Sequence, residues 1–170
     1  KGLAESSCVD VLTGTFSKSF ACVGGFAATS KEVVRFLKAS CPSFIFTASL
    51  PPASVATVLA SLNIIKTDKE RIKNFRKISN RVRSELNSMG YNTCGSQTPI
   101  IPILVGDREK TIAAWEYLFD RGIFCNVSIS PAVPVGSDLL RTSYIATHTD
   151  SQIDRVLEAF RGLKRDVLFD

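Results

Sequence analysis

The stretch from Thr67 to Gly90 constrains this chain most. Ile72, Phe75, Val82, Leu86 and Met89 recur at helical spacing, charged residues fill the gaps, and Gly90 supplies a stop. Thr67-Asp68-Lys69-Glu70 has the pattern of a capping box, in which Thr67 and Glu70 satisfy each other's backbone donors. A long helix in the middle of a 170-residue chain divides it. The expectation is three parts: residues 1–66, a linking helix over residues 67–90, and residues 91–170.

The first flank mixes short strands with helices. Residues 9–15 read as a short buried strand ending in turn residues, and residues 24–29 as a second strand. Ser30 opens a helix over residues 31–39, with Val33, Val34 and Leu37 at helical spacing. The apolar run Phe44-Ile45-Phe46-Thr47 stops at Leu50-Pro51-Pro52, which suits a rigid, buried loop. Proline favours the first turn of a helix, so residues 52–65 should be helical with Val55, Val58, Leu59 and Leu62 inward.

The second flank reads strand, helix, strand, strand, helix. Residues 100–105, 123–128 and 140–146 are the strands. Residues 108–120 form a helix with Ile112, Trp115 and Leu118 on one face and Gly122 as its stop. Thr149 and Gln152 form a second capping box before a final helix to about Arg165, with Ile153, Val156, Leu157 and Phe160 inward. This is an α/β chain whose last part is a small α+β layer of helices on a sheet.

Several classes are excluded. No apolar run reaches the roughly 18 residues that a spanning helix needs, and no signal-peptide pattern opens the chain. Beginning at Lys1-Gly2 without a Met, it reads as a fragment of something longer. Cys8, Cys22, Cys41, Cys94 and Cys125 are scattered, odd in number and never in C-x-x-C spacing, and His148 is the only histidine. Neither a zinc site nor a disulfide framework is expected, and dispersed cysteines fit a reducing cytoplasm. Residues 31–90 carry 11 basic against 4 acidic side chains, concentrated over residues 66–83. Such a helix can meet nucleic acid, an anionic membrane or a polyphosphate. With only Phe75 interleaved among the charges, a solvated face is the simpler reading. No nucleic-acid partner is expected, and membrane contact is peripheral at most.

Lys18 follows the first strand in a turn that contains Thr15 and Ser17. Open α/β sheets bind ligands at strand ends, and a lysine with a depressed pKa forms Schiff bases. Local spacing alone does not separate this from an ordinary surface lysine. Gly14-Thr-Phe-Ser-Lys18 is not a phosphate-binding Walker loop, which needs a second Gly before the Lys and a hydroxyl after it. Thr15-x-x-Lys18 lacks the Ser-Asp-Asn and Lys-Thr-Gly partners of penicillin-recognising enzymes.

The whole constellation is more specific. Gly14-Thr-Phe-Ser-Lys-Ser-Phe-Ala-Cys-Val-Gly-Gly-Phe26 resembles the cofactor-lysine segment of the α-oxoamine synthases, fold-type-I enzymes that use pyridoxal 5'-phosphate. Phe44-Ile-Phe-Thr-Ala-Ser-Leu-Pro-Pro-Ala53, Thr98-Pro-Ile-Ile-Pro-Ile103, Gly122-Ile-Phe-Cys-Asn126, Ser130-Pro-Ala-Val-Pro134 and Leu140-Arg-Thr-Ser-Tyr-Ile-Ala-Thr-His-Thr149 follow in the family's order. The resemblance implies the C-terminal part of a fold-type-I transferase: the end of the large α/β domain, then a small α+β C-terminal domain.

It also implies roles. Lys18 would hold pyridoxal phosphate as a Schiff base and act as base at the amino-acid α-carbon. Thr15 would bind the cofactor phosphate. Thr47, with Ser49, would reach the phosphate in the neighbouring subunit of a homodimer. Arg141 would grip the amino-acid carboxylate, and His148 would be structural. The implied reaction condenses an amino acid with an acyl-CoA and releases CO2. The bacterial serine palmitoyltransferase branch is the nearer match, and an 8-amino-7-oxononanoate synthase-like enzyme the alternative. A non-catalytic subunit that only dimerises is the rival from another class. The family's nitrogen-pairing aspartate, stacking histidine and glycine-rich turn fall upstream of Lys1, so a missing N-terminal half is implied.

Overall fold

The computed structural model describes residues 9–168, so Cys8 lies outside the described residues. The chain divides at Asp68 into two units, residues 1–68 and 69–170.

The first unit opens with an antiparallel pair, β1 (Val11–Thr15) and β2 (Gly25–Thr29). The turn between them is close. A Cβ at Gly25 would lie 2.5 Å from the Gly14 carbonyl oxygen, and Gly24 has a φ of +109°. Both positions need glycine. Helix α1 (Lys31–Ser40) starts where Ser30 accepts a hydrogen bond from the Val33 N–H. A single turn, α2 (Pro42–Ile45), leads to α3 (Pro52–Thr67), entered through the proline pair.

No described residue of this unit is buried. That corrects two expectations. The first strand is not buried, with Val11 44% exposed, and the 44–52 loop is not buried either, with Phe46 86% exposed. In α3 only Val58 and Leu62 of the expected inward set are half-buried, while Val55 and Leu59 are exposed. The reason is plain: a two-stranded ribbon and three helices supply no second layer to close over these side chains.

The second unit has the core. The long α4 (Lys69–Ser88) buries Ile78, Ser79, Val82 and Leu86, and Gly90 ends the run with a φ of +83°. The capping box expected at its start does not form. Thr67 instead closes α3, donating its hydroxyl to the Asn63 carbonyl at 2.8 Å. Once Thr67 has helical backbone it cannot also take the extended conformation of a cap.

Three antiparallel strands follow: β3 (Ile100–Leu104), β4 (Asn126–Ser128) and β5 (Leu139–Ser143), in the order β3-β5-β4. Pro102 is tolerated because β3 is an edge strand. Helix α5 (Arg108–Asp120) is capped by Asp107, whose carboxylate accepts from the Lys110 N–H at 2.8 Å. Helix α6 (Asp150–Leu163) carries the expected capping box, with both reciprocal bonds between Thr149 and Gln152.

One face of the sheet is covered by α4, α5 and α6. Ile101, Ile103 and Leu140 meet Val82, Leu86, Leu118, Ile153, Leu157 and Phe160 there, all at most 1% exposed. Burying each such side chain contributes about 1.5–3 kcal/mol. The buried face of α5 is Thr111, Ala114 and Leu118. The expected face is thus shifted, because small Thr111 and Ala114 allow close approach. Trp115 is half-buried at the core edge, and Ile112 is 37% exposed.

Candidate active site

The β1–β2 turn presents the candidate cofactor lysine. Lys18 is exposed, and none of the described residues hydrogen-bonds or ion-pairs with its amine. Its carbonyl accepts from the Ala21 N–H at 2.9 Å, and the Phe16 N–H donates to Gly24, so the turn is tied at both ends. The Thr15 and Ser17 hydroxyls meet at 2.5 Å, and Thr15 also accepts from the Ser17 N–H at 3.2 Å. No acidic residue stands between Asp10 and Glu32. An exposed amine in a turn that also carries two hydroxyls, with no carboxylate in the segment, fits a phosphate-bearing aldehyde.

The turn packs onto the start of α3 in the same unit. Leu50 lies against Gly24, Cys22 meets the Ser54 carbonyl, and Ser61 meets the Phe20 carbonyl. Thr47 and Ser49 lie in the loop just before α3, and both are exposed. The Thr47 hydroxyl donates to the Ser43 carbonyl at 2.5 Å, closing the α2 turn.

Arg141 belongs to the second unit. It sits in the middle of β5, the central strand, with Pro102 opposite on β3 and Asn126 opposite on β4. Alternation along the strand buries Leu140 and Thr142 and exposes Arg141 and Ser143. The root of Arg141 is thus fixed by two ladders while its guanidinium stands on the open face. Asn126, the polar neighbour, was not a candidate on sequence grounds, because strand pairing has no local signature.

His148 is held by its own segment. Its Nδ1 accepts from the Ile145 N–H at 3.2 Å, and its ring meets Tyr144 edge-on at 6.1 Å. The basic stretch is partly neutralised on α4: Arg81 pairs with Asp150 and Asp154, and Lys73 with Glu70. Among the described residues no helix is long and apolar enough to cross a membrane.

Residues 3–160 match the family described as aminotransferase class I and II. The chain belongs to that family. Its relatives there are α-oxoamine synthases. A serine palmitoyltransferase of Bacteriovorax stolpii is 41% identical over 162 residues, 95% of this chain and 38% of that protein. An 8-amino-7-oxononanoate synthase of Bacillus subtilis is 34% identical over 160 residues, 94% of this chain and 41% of that protein. A serine palmitoyltransferase solved with its pyridoxal phosphate internal aldimine superposes with a TM-score of 0.85 at 35% identity, over 92% of this chain and 40% of that one. The mixed α/β fold agrees with the C-terminal part of a fold-type-I transferase. This chain spans about two fifths of the length of these relatives.

Proposed function

We propose that this chain is the cofactor-lysine and substrate-carboxylate part of an α-oxoamine synthase of the serine palmitoyltransferase kind. The observation that carries the reading is Lys18, exposed and unpaired in the turn that also carries the Thr15 and Ser17 hydroxyls, within a family-like segment. The higher identity to a serine palmitoyltransferase than to an 8-amino-7-oxononanoate synthase supports that branch over the alternative.

What pyridoxal phosphate supplies when bound is an electron sink for the pair left at an amino-acid α-carbon. Lys18 would hold it through its amine, and the same Nζ, when free, would accept the α-proton. Thr15 donates its hydroxyl to the phosphate, and Arg141 receives the substrate carboxylate on its fork of N–H donors. The reaction would form a bond between the amino-acid α-carbon and the acyl carbonyl carbon, breaking the thioester C–S bond to release CoA and the α-carbon–carboxylate bond to release CO2. Thr47, with Ser49, serves the site of the other subunit in a homodimer. The absence of burial in the first unit supports a larger assembly in which its apolar side chains are covered. Residues 1–66 are proposed as the end of the cofactor domain, 67–90 as the linking helix, and 91–170 as the small domain. The working protein is placed in the cytoplasm, with at most peripheral membrane contact and a role in sphingolipid synthesis.

The test uses the full-length protein. Pyridoxal phosphate should give a visible imine band, and borohydride should fix it onto the peptide containing Lys18. Label on Lys66 or another lysine, or an unchanged band in Lys18→Ala, would sink the assignment.

A further inference from the structure

We propose that Asn126 is a second substrate-carboxylate residue, working beside Arg141. This rests on the reading of Arg141 given above and extends it. The β4–β5 register puts Asn126 directly opposite Arg141. Directly opposed residues point to the same face of a sheet, with Cβ atoms about 4.5–5.5 Å apart. That face is the open one, since the other packs against the helices.

Three features favour a carboxylate as the shared ligand. Both side chains are exposed, and neither has a hydrogen-bond or ion-pair partner among the described residues. No Asp or Glu stands in any of the three strands, so the Arg141 charge has no counter-ion within the sheet. The cross-strand neighbour on the other side is Pro102, whose side chain can neither donate nor accept. Asn126 is therefore the polar group placed to share a ligand with Arg141.

The chemistry is complementary. A carboxylate has about four lone-pair positions, and a guanidinium fork occupies two of them. An amide N–H from Asn126 can fill a third without adding a second charge. Because both residues are rooted in paired strands, their spacing is set by the ladder rather than by a loop.

The experiment is a spectral titration of the full-length, cofactor-loaded protein with an amino acid and with the matching amine that lacks the carboxylate. Asn126→Ala should weaken amino-acid binding about tenfold, the loss of one hydrogen bond to a charged group, and leave amine binding and the acyl-CoA KM unchanged. Asn126→Asp should weaken amino-acid binding more, about a hundredfold, because its carboxylate repels the substrate and occupies Arg141. Asn126→Gln, which keeps the amide, should recover part of the loss. Equal losses for amino acid and amine in Asn126→Ala would overturn the proposal, since they report structural damage. No loss in Asn126→Ala while Arg141→Ala abolishes binding would overturn it and leave the role of Arg141 standing. Unchanged amino-acid affinity in Arg141→Ala would overturn both.

Discussion

Tyr91 donates its hydroxyl to the Phe160 carbonyl at 2.6 Å and meets the Phe160 ring edge-to-face at 5.5 Å. This one residue ties the end of α4 to the last helix across the core of the second unit. Tyr91 is buried, so its hydroxyl has no water to fall back on. Tyr91→Phe keeps the ring contact but removes one of the two donors to the Phe160 carbonyl, leaving the Lys164 N–H. It should lower stability by about 1–2 kcal/mol, read as a shift of the denaturant midpoint without a change in slope. An unchanged midpoint would show the bond to be of no net value.

The same core predicts alkaline sensitivity. Burial pushes the Cys125 thiol up to about 11 and the Tyr144 phenol up to about 12, and it raises Tyr91 still further. All three are neutral in the fold, and the unfolded chain loses these protons first, near the ordinary values. Stability from them is therefore complete below about pH 8.5 and falls as pH rises through the raised values. The unfolding midpoint should be flat around neutrality and drop from about pH 9 upward, with the first part of the drop reduced in Cys125→Ala. A midpoint that holds to about pH 11 would contradict this.

The two threonine boxes make a matched comparison. Thr149→Ala breaks both reciprocal bonds at the start of α6 and should cost about 1 kcal/mol. Thr67→Ala removes only a hydroxyl bonded to Asn63 at the end of α3 and should cost less than about 0.5 kcal/mol. Thermal unfolding of the two variants side by side decides it. Equal losses would mean that Thr67 also works as a cap.

Thr47 tests the dimer. In this chain its hydroxyl is spent on the Ser43 carbonyl, and a phosphate, being charged, competes well for that proton. Thr47→Val should loosen pyridoxal phosphate by about 1–3 kcal/mol. Mixing full-length Thr47→Val and Lys18→Ala subunits separates the two geometries. Action across the interface puts both defects in one site and restores near-normal activity at the other. Action within one subunit leaves a defect in every site, and activity stays at the sum of the two separate variants.

The local physics of the chain was readable in advance. Ser30, Gly90, Gly122 and the Thr149–Gln152 pair each act over one turn of backbone, so the ends of α1, α4, α5 and α6 followed from residue type and spacing. Lys18, Thr15, Thr47, Ser49 and Arg141 became candidates only through the ordered family-like segments, since spacing alone left Lys18 ambiguous. Thr67 shows the limit of local reading. Its box is as good on paper as that of Thr149, yet α3 continues through it and takes the hydroxyl.

What the sequence determined by itself was therefore most of the elements, the helix ends set by Ser30, Gly90, Gly122 and Thr149, and the family to which they belong. Tertiary structure decided which faces are buried and which residues become neighbours. It turned α5 onto Thr111 and Ala114 rather than Ile112, left Val11 and Phe46 exposed, and set Asn126 beside Arg141. The physical reason is range. Caps and helix periods are fixed within a few residues, but burial and strand register depend on which distant segment supplies the opposing surface.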